Sequence, residues 1–240
     1  MRRLLGAAVG VAAAVQVGPA ATWLPVVRRR LTPQLCGLGA TGSVAVTFDD
    51  GPHPAGTLAV LDALDALSWQ ATFFVLGAQV RKHPGIVAEI VRRGHEVGVH
   101  GDQHRYLIAR APRAAAHDLD AAVDTIGQAT GDAPRWWRPP YGVLSGPSLV
   151  AARRRGVRPV LWSSWGRDWR SSATPESVVT DLCRGAAGSV LDGATLLLHD
   201  SDVMSAPGSW QTTVASLPLL AARIAEAGLR PRTLSAHISA

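Results

Sequence analysis

From residue 43 onward, short apolar runs alternate with longer stretches in which apolar residues recur every three or four positions. The short runs predict strands at Val44–Phe48, Ala71–Leu76, Glu96–His100, Arg135–Trp137, Arg158–Trp162, Thr195–His199 and Leu229–Leu234. The longer ones predict helices at Ala55–Leu67, Pro84–Arg93, Arg113–Thr130, Ser148–Arg155, Pro175–Cys183 and Leu217–Ala227. In the first helix Leu58, Leu61, Ala63 and Leu64 share a face that Asp62 and Asp65 avoid. Gly94, Gly131 and Gly156 follow expected helix ends, where a left-handed cap favours glycine. Alternation of this kind predicts a mostly parallel sheet with helices outside. About seven strands point to a distorted, incomplete (β/α) barrel, with an open doubly wound sheet as the alternative.

Ahead of residue 43 the pattern changes. Arg2-Arg3 and Arg28–Arg30 bracket an uncharged run from Leu4 to Val27, long enough to cross a bilayer but rich in Ala and Gly and broken by Pro19 and Pro25. Residues 1–30 therefore predict a signal peptide, with a small-residue cleavage site near Gly18–Ala21, or a membrane anchor; an amphipathic or disordered lead is the plain alternative. Residues 31–42 read as a linker, and 43–240 as the domain. This leader implies an extracytoplasmic or membrane-anchored protein, possible membrane association running through residues 4–27, with a cytoplasmic one as the alternative.

Charge narrows the partners. The net charge is +6, but five arginines lie in the first 30 residues, which hold no acidic residue; 24 basic residues less those five leave 19 against 18 acidic. A nearly neutral domain gives no footprint for nucleic acid. Cys36 and Cys183 lie far apart and have no metal-finger spacing, so they read as two free, partly buried thiols, with a disulfide as the alternative if the domain sits outside the cytoplasm. Oligomeric state is not readable.

Polar residues gather where the apolar runs end. The first expected strand closes on Asp49-Asp50, the third on His100 with His104 four residues on, the fourth runs into Arg138, the fifth towards Asp168-Trp169, and the sixth closes on His199. In α/β barrels the carboxyl ends of strands carry the chemistry. Two histidines four apart plus one aspartate make a catalytic rather than a closed structural metal set. Two adjacent carboxylates facing one pocket would repel, unless one meets a metal and the other an arginine, for which Arg138 is the natural candidate. Asp168 is placed to orient His199 and hold its proton, as a general acid needs. Of the eight tryptophans, five cluster between Trp136 and Trp169; most are expected to be packing residues. The remaining histidines, His95 and His237 among them, read as surface residues.

These residues form an ordered set. Thr47–Pro52 reads T-F-D-D-G-P; His100–His104 reads H-x-x-x-H; Arg138–Tyr141 reads R-P-P-Y; Asp168-Trp169 follows Trp165; and Leu197-Leu198-His199 closes the series. The chain closely resembles the polysaccharide deacetylases of carbohydrate esterase family 4, the chitooligosaccharide-deacetylase-like group, from about Val44 to Leu234. Three positions depart from that family's pattern: Gly101 stands where Ser or Thr is usual, Trp165 where the fourth motif begins with Asp, and Thr195 at the leading position of the fifth, L-x-L-x-H.

The resemblance implies a metal-dependent hydrolase that removes acetyl groups from a polysaccharide or oligosaccharide such as chitin oligomers or peptidoglycan. It implies Asp49 as general base, held by Arg138, and Asp50, His100 and His104 as ligands of a divalent metal, zinc first, with cobalt, nickel or manganese as alternatives. His199 is implied as the acid, tuned by Asp168; the Tyr141 backbone N–H as an oxyanion donor; and Trp169 and Leu197 as walls of the acetyl pocket. Gly101 removes a hydroxyl that braces the histidine loop in the family. The rival readings are an amidohydrolase of the same fold acting on a small non-sugar amide, and an inactive carbohydrate-binding protein of the cell envelope.

Overall fold

The computed structural model describes residue 10 and residues 13–184 and 191–238. Eight strands form one parallel sheet: β1 Ser43–Asp49, β2 Thr72–Val75, β3 Glu96–Val99, β4 Trp136–Trp137, β5 Arg158–Pro159, β6 Ser164–Trp165, β7 Thr195–His199 and β8 Arg230–Arg232. Seven of them run in the order β5-β4-β3-β2-β1-β7-β6, and β8 pairs with the first half of β1. Every residue of β1 is buried, as a central strand covered on both faces requires. The sheet curls into a half-barrel, so the sequence-derived architecture holds.

Helices cover the outside: α1 Pro25–Leu31, α2 Gly56–Ala66, α3 Gly77–Lys82, α4 Pro84–Arg92, α5 Pro112–Thr130, α6 Gly146–Arg154, α7 Pro175–Arg184, α8 Ser209–Glu226 and α9 Leu234–Ile238. The long α5 turns Ala115, Leu119, Ala122, Val123 and Ile126 inward, an amphipathic stripe at helical spacing.

Three local expectations fail for identifiable reasons. The fifth strand was expected to continue to Trp162, but it stops at Pro159. The Val160 N–H donates to Trp137 O (2.9 Å), whereas the Ser163 N–H donates to Thr195 O (3.1 Å). Within three residues the chain crosses from the β4 edge to the β7 edge, and the separate strand β6 follows. Helix α8 begins two turns before the expected Leu217 and runs through Pro218. Its early positions carry buried Ser209 and Thr213, so the polar start that reads as loop is packed inside. His95 and His237 are buried, not superficial; His237 lies 2.7 Å from the Ser43 hydroxyl and ties α9 to the root of β1.

Residues 33–36 form a 3-10 turn in which Leu35 and Cys36 are buried. Cys36 and Cys183 are both free thiols. Among the described residues no helix is long and apolar enough to cross a membrane; residues 1–9, 11 and 12 of the expected leader lie outside the described residues.

Candidate active site

The parallel register sets the site residues side by side. Asp49 pairs with His199 across β1 and β7, and Val99, just before His100, pairs with Trp137, just before Arg138. Four strands thus deliver Asp49, His100, Arg138 and His199 to one rim. Asp50, His104 and Tyr141 have left-handed backbones, with φ of 77°, 49° and 58°. Non-glycine residues pay for that conformation, and such strain concentrates at functional sites.

The two adjacent aspartates have different partners. Asp49 Oδ1 accepts from Arg138 Nη1 at 2.7 Å. Arg138 is wholly buried, and its guanidinium also donates to Thr47 Oγ1 (2.8 Å) and Leu161 O (3.1 Å), and lies 4.0 Å from the centre of the Phe74 ring. Asp50 Oδ1 stands 3.4 Å from both His100 Nε2 and His104 Nε2. Burial alone would raise the Asp50 carboxyl, but the nearby imidazole of His100, helped by His199 and His104, holds it down at about 2.

His100 Nδ1 lies 2.8 Å from Arg138 O. The carbonyl accepts from Nδ1–H, so Nε2 is the ring nitrogen that turns towards Asp50 and is free to ligate a cation once it has lost its proton. Burial pushes His104 down to about 4, with the neighbouring His100 adding to it, so it is neutral at pH 7. Ligand atoms of Asp50, His100 and His104 all fall within 4.8 Å of one another. Asp50 Oδ1 is buried without a hydrogen-bond donor, as is His104 Nδ1. A buried carboxylate oxygen with no donor, facing two imidazole nitrogens, is the arrangement a divalent cation fits.

On the other flank, His199 Nδ1 lies 2.8 Å from Asp168 Oδ1. Asp168 Oδ2 accepts from the His199 backbone N–H and from Thr213 Oγ1, each at 2.7 Å. Burial works against the imidazolium, but Asp168, followed by Asp50 and Asp49, outweighs it and raises His199 to about 9. Trp169 meets the His199 ring edge-on at 5.4 Å, and Leu197 lines the same cavity. That cavity, about 660 Å³, also takes in Asp49, Asp50, His100, His104 and Tyr141. All ten residues singled out in the sequence therefore meet at one rim.

Asp118 and Arg81, which sequence pattern does not mark, support the histidine loop. Gly101 has φ of 98°, and a Cβ there would sit 3.0 Å from Asp118 Oδ2. Asp118, on α5, accepts the Asp102 N–H at 3.0 Å. A carboxylate from a helix thus braces the histidine loop beside the position where the usual hydroxyl is missing. Arg81 of α3 grips Asp102 with two bonds, of 2.7 and 3.0 Å, and the Gly77 and Ala78 N–H groups cap the Gly101 and Asp102 carbonyls. Asp200 is buried beneath Gly51, where a Cβ would lie 2.3 Å from its carboxylate. It accepts from Thr57 Oγ1 at 2.5 Å, and burial lifts it to about 7. Trp165 and Trp162 continue the aromatic row from Trp169, with ring centres 5.6 and 5.9 Å apart in turn.

A family model described as polysaccharide deacetylase matches residues 39–160. The chain belongs to this family. Among curated members, the peptidoglycan-N-acetylglucosamine deacetylase of Bacillus cereus is 32% identical over 80% of this chain and 86% of its own length. A chitooligosaccharide deacetylase of Azorhizobium caulinodans is 32% identical over 75% of this chain and 84% of its own. A crystal structure of a peptidoglycan N-acetylglucosamine deacetylase superposes with a TM-score of 0.75 at 27% identity, over 84% of this chain and 91% of that one. The polysaccharide deacetylase fold accounts for the half-barrel, and membership makes the chain a hydrolase of that family.

Proposed function

We propose that the protein is a metal-dependent hydrolase that removes acetyl groups from a glycan, with N-acetylated peptidoglycan or chitin-type oligomers as the substrate class. The observation that carries this reading is the pair of differently held groups flanking one carboxylate–imidazole cluster: Asp49 on Arg138 to one side, His199 on Asp168 to the other. The peptidoglycan and chitooligosaccharide deacetylases among its relatives supply the substrate class. The apolar run Leu4–Val17 behind Arg2-Arg3 supports a place outside the cytoplasm or at the membrane.

Asp50, His100 and His104 would hold the metal, zinc by preference for two imidazoles and a carboxylate, with cobalt, nickel or manganese as alternatives. When bound, the cation polarises the acetyl carbonyl and lowers the pKa of water beside it. Asp49 takes a proton from the attacking water as its oxygen bonds to the carbonyl carbon. The Tyr141 backbone N–H donates to the oxygen on which negative charge grows. His199, protonated at neutral pH, gives its Nε2 proton to the leaving nitrogen as the carbon–nitrogen bond breaks. Acetate and a free amine result. Trp169 and Leu197 enclose the methyl group and exclude water.

Acetate release from N-acetylglucosamine oligomers, peptidoglycan fragments and a small non-sugar amide tests the reading. Turnover of at least one glycan is expected. Turnover confined to the non-sugar amide would contradict it and favour the amidohydrolase reading.

A further inference from the structure

We propose that residues 18–31 form part of the substrate cleft, and that Trp23 is a platform on which a sugar next to the deacetylated one stacks. The proposal rests on the glycan reading above. Trp23 lies ahead of residue 39, where the match to the family model begins.

The segment is held at several points. Gln16 Nε2 donates to Arg110 O at 2.9 Å. The Val15 carbonyl lies against Gly146, where a Cβ would come within 2.1 Å of it. Pro19 opens a 3-10 helix, Gly18–Trp23, and Pro25 opens α1. The strongest tie is Arg28. Its side chain is buried, and it donates to Trp162 O (3.2 Å) and Thr22 O (3.4 Å). Burial lowers its pKa; the two carbonyls accept from its terminal nitrogens, which offsets part of the cost of withdrawing a guanidinium from water. One side chain thus joins the residue before Trp23 to the residue that bridges the barrel opening.

This anchoring presents Trp23 to the catalytic cavity. Ala20 and Trp23 line it together with Asp49, Asp50 and His199. Trp23 keeps 47% of its surface exposed, unlike Trp136 and Trp137 in the core. A large apolar face left half open in a polar-floored cleft is a binding surface rather than packing. The axial C–H groups of a pyranose make a flat apolar patch that suits an indole face. An acetyl group alone is already enclosed by Trp169 and Leu197, so Trp23 is left for a neighbouring ring of the chain.

The test compares two substrates on the full chain. An N-acetylglucosamine tetramer reaches beyond the acetyl pocket; 4-nitrophenyl acetate does not. Trp23→Ala should raise KM for the tetramer about five- to tenfold, the size of one aromatic contact, with kcat little changed. KM for 4-nitrophenyl acetate should stay at the wild-type value, and Trp23→Phe should recover most of the tetramer affinity. Arg28→Met, which keeps the stem and removes the donors, should raise the tetramer KM in parallel. An unchanged tetramer KM in Trp23→Ala would overturn the proposal while leaving the deacetylase reading intact. Equal losses on both substrates would also overturn it, by showing a purely structural role. A wild-type enzyme inert on every glycan would instead reject the underlying reading, and the proposal with it.

Discussion

Asp49 and Asp50 are neighbours in sequence and part company in space. The left-handed turn at Asp50 sends its carboxylate towards His100 and His104, while Asp49 keeps the strand direction and meets Arg138. The conflict that two adjacent carboxylates would create is removed by giving each its own cationic or metal-binding environment. His199 is held by a third carboxylate, so its proton and its orientation have one origin. Asp49→Asn and His199→Ala should each lower kcat by about 10²–10⁴-fold, the general acid–base range, while bound metal, measured by elemental analysis, stays at the wild-type level. The raised His199 value also has a sign. The protonated form is the donor; it is present below about 9 and is lost as pH rises through that value. kcat for glycan deacetylation should therefore fall above about pH 9, and a profile still rising through pH 10 would remove His199 from the acid role.

At the scale of elements, the histidine loop depends on parts of the chain that sequence pattern does not connect to it. Helix α3 caps its carbonyls and Arg81 grips Asp102, while Asp118 reaches in from α5 to accept the Asp102 N–H. Asp118→Ala should weaken metal affinity about 10–100-fold, as loss of a supporting hydrogen bond does, read by competition with a chelating dye; Gly101→Ser alone should collide with Asp118 and not substitute for it. The polar residues that close apolar strands were legible, because apolar runs ending abruptly in Asp or His are visible without a structure. The architecture was legible too, from strand–helix alternation. Three things were not. Helix α3 has six residues, too few for a periodic signal. Asp118 sits on a helix whose other buried positions are mostly apolar, so its partner sixteen residues away leaves no local trace. The strand expected to run to Trp162 looked continuous because Val160-Leu161-Trp162 prolong it as an apolar run, while the bend there depends on which edge each N–H meets.

Across the whole molecule, Arg138 connects the site to the fold. It comes from β4, binds Asp49 on β1, and donates to Leu161 O where the chain crosses the barrel opening. Leu161 in turn donates to Leu35 O, so residues ahead of β1 close the same gap. Arg138→Ala would leave the Asp49 carboxylate buried without its partner and should cost about 3–5 kcal/mol in urea unfolding. Adding Asp49→Asn should return part of that loss, since the uncompensated charge goes with it.

The central claim is that Asp50, His100 and His104 hold a cation without which Asp49 and His199 have no reaction to serve. It is tested most directly by acetate release from an N-acetylglucosamine oligomer by protein stripped with chelator and then reloaded with zinc. The account predicts that stripping abolishes release and that about one equivalent of zinc restores it, with no restoration in Asp50→Ala. Full activity in the stripped protein would contradict it.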